Sequence, residues 1–203
     1  MNRDDVKLAT KETVSKSYLQ VDRYVLEHRA FEGDWIGPMT REVLERGHAV
    51  AALLYDPDLD LLVLVEQFRA GVYAAQMSSE ETPWLMEVVA GIIEDGEEPE
   101  GVTRREAVEE AGCDIVDMFE VGQYYLSPGV CTETITLYCA RVDASNAGGH
   151  HGLDHEHEDI RVHVVSSEQA FDWLEHGKIT NATALIALQW FKLHFTEVRN
   201  RWM

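Results

Sequence analysis

The sequence predicts an α/β fold: a mixed sheet with helices on both faces, an α/β/α sandwich, preceded by a small antiparallel β-sheet extension. Three observations carry this. Apolar, β-branched runs of strand length recur along the chain. One carboxylate-rich helical segment falls among them, between Pro99 and Gly112. Two further helical segments come late, after the run Ile160–Val165. Helices both among and after the strands need a sheet they can cover on two sides.

The elements follow in order. Residues 12–30 alternate in places, with Tyr18, Gln20, Asp22 and Tyr24 against Leu19, Val21 and Val25, and read as one or two antiparallel strands. A loop is expected through Trp35 and Pro38, and Arg41–Arg46 lead to Gly47. This divides the chain into a β-rich extension, 1–46, and a main domain, 47–203. His48–Tyr55 and Leu61–Phe68 form a buried hairpin around Asp56-Pro57-Asp58. Residues 70–83 read as a polar loop. Trp84–Ala90 is a strand running into Gly91 and an acidic loop. Beyond the acidic helix, 114–126 hold two strand-like pieces around Gly122, and Glu133–Val142 is a clear strand. Residues 143–159 are a loop rich in Gly, His and acid. Ser167–His176 is a helix with Ser167 as N-cap, and Asn181–Phe195 is a longer amphipathic helix.

Composition narrows the function. The chain has 203 residues, 45% of them hydrophobic, enough for a real core. Its 17 basic against 37 acidic residues leave a net charge of −20. That charge argues against sequence-independent binding to nucleic acid or anionic membrane. It leaves a small anionic substrate open, because a bound divalent ion reverses the local field. Cys113, Cys131 and Cys139 are odd in number, form no C-x-x-C, and lie mostly in apolar runs. Buried, reduced thiols and a cytoplasmic setting are the expectation. The first twenty residues hold no apolar signal segment, and no apolar run approaches the roughly 18 residues needed to span a bilayer.

The chemistry concentrates on the acidic helix. At about 100° per residue, Glu106, Glu109 and Glu110 share one sector, and Ala107, Val108 and Ala111 face the other way, toward a core. Clustered carboxylates repel unless a cation sits between them, and hard oxygen donors suit Mg²⁺ or Mn²⁺. Arg105 and Glu109 stand four residues apart and can pair. The loop 150–159 carries four histidines and four acids. It reads as a transition-metal site, as a solvated loop, or as a lid bringing a carboxylate over the metals.

The spacing is more specific than an acidic helix requires. Gly91, five residues, Glu97, seven residues, then Arg105 through Cys113 match G-x5-E-x7-R-E-U-x-E-E-x-G-U at every fixed position, U being apolar. This resembles the Nudix box. The segments TREVLERGHA, LVEQFR, ETPWLMEVVAGIIEDGE, LSPG, HEDIRVHVV and IALQW extend the resemblance to bacterial ADP-ribose pyrophosphatases of the Nudix superfamily, over most of the chain after residue 40. Pro128, fifteen residues past Cys113, fits ADP-ribose members.

The resemblance implies Mg²⁺-dependent hydrolysis of ADP-ribose to AMP and ribose 5-phosphate, with about two to three ions per site and Mn²⁺ as an alternative. It implies metal binding by Glu106, Glu109, Glu110, the Ala90 carbonyl and Glu158. Glu156 becomes the general base. Arg69 and Arg41 hold phosphate or the terminal ribose, Glu133 the ribose hydroxyls, and Tyr18 stacks on adenine. Glu97 steadies the turn into the helix, and Arg105 orients a ligand carboxylate. Tyr18 and Arg41 reach across from a partner subunit, so a homodimer with swapped extensions is expected, Phe31 and Trp35 lying at its interface. Three rivals remain: the same chemistry on another nucleotide sugar or dinucleotide, a non-catalytic ADP-ribose-binding module, and a structural acidic protein that only buffers divalent ions. The intact box argues against the second.

Overall fold

The structure is a computed structural model of the full chain, described over residues 1–75, 82–153, 155 and 157–203. It divides into two compact units, Met1–His48 with Tyr124–Ile135, and Ala49–Gln123 with Thr136–Met203.

In the first unit, β1 (Val6–Lys16), β2 (Gln20–Arg29) and β3 (Trp35–Glu45) form an antiparallel sheet in that order. The stretch expected as a loop through Trp35 and Pro38 is therefore strand, with its irregularity confined to a register shift opposite Leu26 and His28. The strand β1 is exposed along its whole length. Asp22, by contrast, is fully buried on β2, and Lys11 Nζ meets its Oδ2 at 2.9 Å. The 124–135 segment joins this unit through β3: Leu44 N–H donates to the Val130 carbonyl and Thr132 N–H to the Leu44 carbonyl.

Among the described residues, the main sheet has eight strands. Its path is β10 (Gly149–His151), β11 (Ile160–Ser166), β5 (Leu61–Phe68), β4 (His48–Asp56), β9 (Thr134–Arg141) and β8 (Asp117–Tyr125). Beside that path β6 (Trp84–Glu87) pairs with β5 and β7 (Val89–Ile93) with β4. The expected strand 84–90 is thus two strands: the chain changes neighbour at Val88, so Gly91 lies within β7 rather than in a loop. The two pieces around Gly122 are one continuous strand.

Both sheet faces are covered, as the near-unbroken burial of β4 requires. On one side Val50, Ala52 and Leu54 pack with Val102, Ala107 and Ala111 of α2 (Pro99–Ala111). On the other, Tyr55 meets Phe191 of α4 (Ala182–Trp202) edge-to-face at 4.9 Å, and Phe171 of α3 (Ser167–Glu175) joins the same aromatic cluster. This is the expected α/β/α sandwich.

Several boundaries move. Residues 70–75, expected as loop, form the short helix α1 (Ala70–Ala75). The 143–159 stretch contains β10. Ser166, not Ser167, caps α3, its Oγ accepting from Gln169 N–H, while Ser167 Oγ donates to Asp60 at 2.8 Å. The last helix runs seven residues past Phe195, because Val198 and Trp202 are buried four apart and Trp202 Nε1 donates to Asp117 at 2.8 Å. Of the three residues expected to face inward, Ala107 and Ala111 are buried and Val108 is half exposed.

Candidate active site

The acidic helix is set by its ends. Pro99 occupies the first turn, where its missing N–H costs nothing, and Gly112 ends the helix at φ 63°, ψ 24°. Ahead of the helix, Glu97 closes the turn: its Oε2 accepts from Glu94 N–H at 2.9 Å. The two box glycines that an acidic helix alone would not require are explained by close approach. A Cβ on Gly91 would collide with the Glu106 carboxylate, and one on Gly112 would lie 2.5 Å from His151 Cε1.

The three helix carboxylates differ sharply in surroundings. Glu110 is only 4% exposed and accepts the Ala90 N–H at 3.0 Å. Burial pushes its carboxyl up to about 8; the Ala90 hydrogen bond and Arg69 oppose this, and the Glu106 and Glu158 charges add to it. Burial likewise raises Glu106 to about 7, with Arg105 opposing and Glu109 and Glu158 reinforcing. Arg105 Nη1 bridges Glu106 at 2.8 Å and Glu109 at 3.1 Å, and Nη2 lies 3.6 Å from Glu97. The arginine therefore holds two box carboxylates in register.

Two other segments border them. Arg69, just beyond β5, donates to Glu87 from Nε and Nη2, the shorter bond being 2.6 Å, while its side chain stays 44% exposed. Its guanidinium feels Glu110 and Glu158 as well as Glu87. The loop after β10 is tied to the helix end, since Gly152 N–H donates to the Glu109 carbonyl at 3.2 Å. Glu158 N–H returns to the Leu153 carbonyl at 3.3 Å, and its side chain occupies the space a Cβ on Gly152 would need.

The second unit therefore brings together Ala90, Glu97, Arg105, Glu106, Glu109, Glu110, Arg69 and Glu158. Tyr18, Arg41 and Glu133 belong to the first unit. There Tyr18 is 89% exposed, Arg41 donates to the Thr40 carbonyl at 2.8 Å, and Glu133 lies 3.6 Å from Arg46. Glu156, the expected base, lies outside the described residues. Glu87 was not among the sequence-derived candidates, although a lone carboxylate inside the apolar run WLMEVVA was its visible signal.

The donor chemistry fits a hard divalent ion. The side-chain donors are all carboxylates; Glu106 and Glu110 are raised by burial and by neighbouring carboxylate charge, and Glu110 accepts the Ala90 N–H of β7. Among the described residues, no three His, Cys, Asp or Glu side chains are already gathered as a closed cage. Glu106 and Glu109 are instead engaged by Arg105.

Buried and half-buried carboxylates on one helix, packed against the glycine-bearing strand β7 and flanked by an arginine, define the class: a hydrolase site built for a polyanionic substrate with a divalent metal. The NUDIX domain family model matches residues 45–186. The chain is 46% identical over 200 residues to the ADP-ribose pyrophosphatase of Escherichia coli (strain K12), covering 98% of this chain and 94% of that protein. It is 40% identical over 201 residues to the Haemophilus influenzae ADP-ribose pyrophosphatase, covering 99% and 92%. It is 34% identical over 154 residues to the GDP-mannose pyrophosphatase of Enterobacter sp. (strain 638), covering 75% and 78%. The crystal structure of an ADP compounds hydrolase superposes with a TM-score of 0.71 at 18% identity, covering 96% of this chain and 97% of that one, a likeness of fold. The chain belongs to the Nudix family and is a Nudix hydrolase. Enzymes of this family work with a divalent metal such as Mg²⁺.

Proposed function

We propose that this enzyme hydrolyses the diphosphate of ADP-ribose to AMP and ribose 5-phosphate. The observation that carries the reading is near-full-length identity of 46% and 40% to two ADP-ribose pyrophosphatases, joined to a box whose carboxylates stand together on α2. Glu106, Glu109, Glu110, the Ala90 carbonyl and Glu158 would hold Mg²⁺, with Mn²⁺ as a substitute. When bound, the metal neutralises diphosphate charge and makes phosphorus more open to water. Arg69 binds a phosphate oxygen or the terminal ribose. Glu156 takes a proton from the attacking water; a P–O bond to phosphorus forms, the bridging P–O bond breaks, and the departing phosphate carries the electron pair. Arg105 keeps Glu106 and Glu109 in place throughout.

Residues 1–46 act as an extension exchanged between two subunits, placing a partner's Tyr18 and Arg41 beside each substrate. Support comes from β1, an 11-residue edge strand exposed throughout, and from the exposed apolar side chains Val6, Leu8, Val14, Leu19, Phe31 and Ile36 on the same unit. Trp35 is covered by its own unit's cations, Lys7 and Arg29.

A second reading is favoured by one observation, the 34% identity to a GDP-mannose pyrophosphatase: the same chemistry on a different nucleotide sugar. Purified protein with Mg²⁺ would be given ADP-ribose, GDP-mannose and a dinucleotide, and products separated by chromatography. AMP from ADP-ribose at a kcat/KM at least about tenfold above the others is expected, a margin of roughly 1.4 kcal/mol in transition-state binding. Preference for GDP-mannose would overturn the substrate, and no product from any would overturn the enzyme reading.

A further inference from the structure

Glu87 lies outside the box, at the end of β6, and is only 4% exposed. Its two oxygens collect donors from three residues. Arg69 Nε lies 3.1 Å from both oxygens, and Arg69 Nη2 lies 2.6 Å from Oε2. Gln67 Nε2 approaches Oε2 at 3.4 Å, and Asn181 Nδ2 donates to Oε1 at 2.9 Å. Asn181 is also the N-cap of α4, its Oδ1 accepting Ala184 N–H at 3.0 Å. One carboxylate thus joins the end of β5, the end of β6 and the first turn of α4 to a single guanidinium.

The pair has a closed end and an open end. The Glu87 side chain is 5% exposed and that of Arg69 44%. A pair that served stability alone could be replaced by well-packed apolar residues at little cost. Here the guanidinium uses its Nε and Nη2 edge on Glu87, and among the described residues no hydrogen bond occupies its Nη1, so that edge can meet a ligand. A free arginine has considerable rotamer freedom to lose on binding; one clamped along an edge has already lost it.

We propose that Glu87 is a positioning residue that clamps Arg69 against the β5–β6 end and so presents its Nη1 edge to a phosphate oxygen of the substrate, with Asn181 tying the clamp to α4. The inference rests on reading Arg69 as a phosphate-binding residue.

The test is steady-state kinetics of the full-length protein with Mg²⁺ and ADP-ribose. Glu87→Gln is expected to raise KM about tenfold with kcat changed less than about threefold, as loss of uniform binding predicts, and Glu87→Asp to recover part of the loss. In an Arg69→Ala background, Glu87→Gln should add nothing to KM, because its effect passes through the missing guanidinium. An unchanged KM for Glu87→Gln, or an effect fully additive with Arg69→Ala, would overturn the proposal. Should Glu87→Gln fail to fold, Arg69→Lys carries the test. Lysine keeps the charge but cannot hold one edge and offer another, so its KM should approach that of Arg69→Ala; a wild-type KM overturns the clamp. If Arg69→Ala itself leaves KM unchanged while wild type hydrolyses ADP-ribose, the assignment of Arg69 fails and the clamp with it. Absence of hydrolysis by wild type overturns the functional reading instead.

Discussion

At the scale of single residues, the box carboxylates are unequal, and burial makes them so. Glu110 and Glu106 hold their protons up to about 8 and about 7, against an ordinary value of 4.5. In the metal-free fold their stabilising contribution is fully present below pH 4.5. It is lost as pH rises toward 8, because the unfolded chain ionises first while the fold must desolvate a charge. Glutamine cannot ionise, so the difference in Tm between wild type and Glu110→Gln in chelator should shift against wild type by several degrees from pH 5 to pH 8.5, at roughly 2–4 °C per kcal/mol for a chain this size. Added Mg²⁺ should raise the wild-type Tm more at pH 8 than at pH 6, since a bound ion must displace those protons. Thermal melts across pH check both; a flat difference would contradict the burial argument.

At the scale of elements, α2 is held along its middle and at its C-terminal end by contacts that only glycine permits. Gly91 yields its Cβ space to Glu106, and Gly112 turns left-handed beneath His151. Gly112→Ala combines a left-handed strain of about 1–2 kcal/mol with a clash against the imidazole. Urea unfolding should show it destabilised by more than that strain alone, and adding His151→Ala should return the clash portion but not the strain. Because Gly152 N–H also bonds the Glu109 carbonyl, the single variant should weaken Mg²⁺ binding, measured by titration, as the loop bearing Glu158 loses its anchor. A double variant no more stable than the single one would show that His151 does not press on this position.

At the scale of the whole molecule, the proposed exchange of extensions makes a prediction about mixed subunits. Under the proposed roles, Arg41→Ala and Glu156→Gln would each disable a subunit differently. If Arg41 serves the partner's site, a hybrid dimer carries one site with both defects and one with neither. Co-expression at equal ratio should then restore roughly a quarter of wild-type activity, half the dimers being hybrids with one sound site each. If each subunit uses its own Arg41, both hybrid sites carry a defect and no activity returns. Light scattering on the same samples reports the mass: a monomer would exclude the exchange outright.

Much of this protein was legible in one dimension because its key features are local. The box lies within 23 consecutive residues, and helical periodicity alone places Glu106, Glu109 and Glu110 on one face. Pro99 and Gly112 mark the helix ends because backbone sterics decide those positions. Elements whose limits depend on distant partners were misread. The strand 84–90 breaks where its neighbour changes from β5 to β4, and α4 continues into a polar stretch because Trp202 finds Asp117. The roles within the box were also decided in three dimensions. Glu110 and Glu109 are adjacent and chemically identical, yet one is buried on the Ala90 N–H and the other lies against Arg105. The sequence by itself determined the family, the α/β/α class and the hard-oxygen chemistry, since these follow from residue type and short-range spacing. Only the tertiary structure decided which carboxylates resist ionisation and that Glu87 pairs with Arg69, because burial and pairing are properties of segments brought together from far apart in the chain.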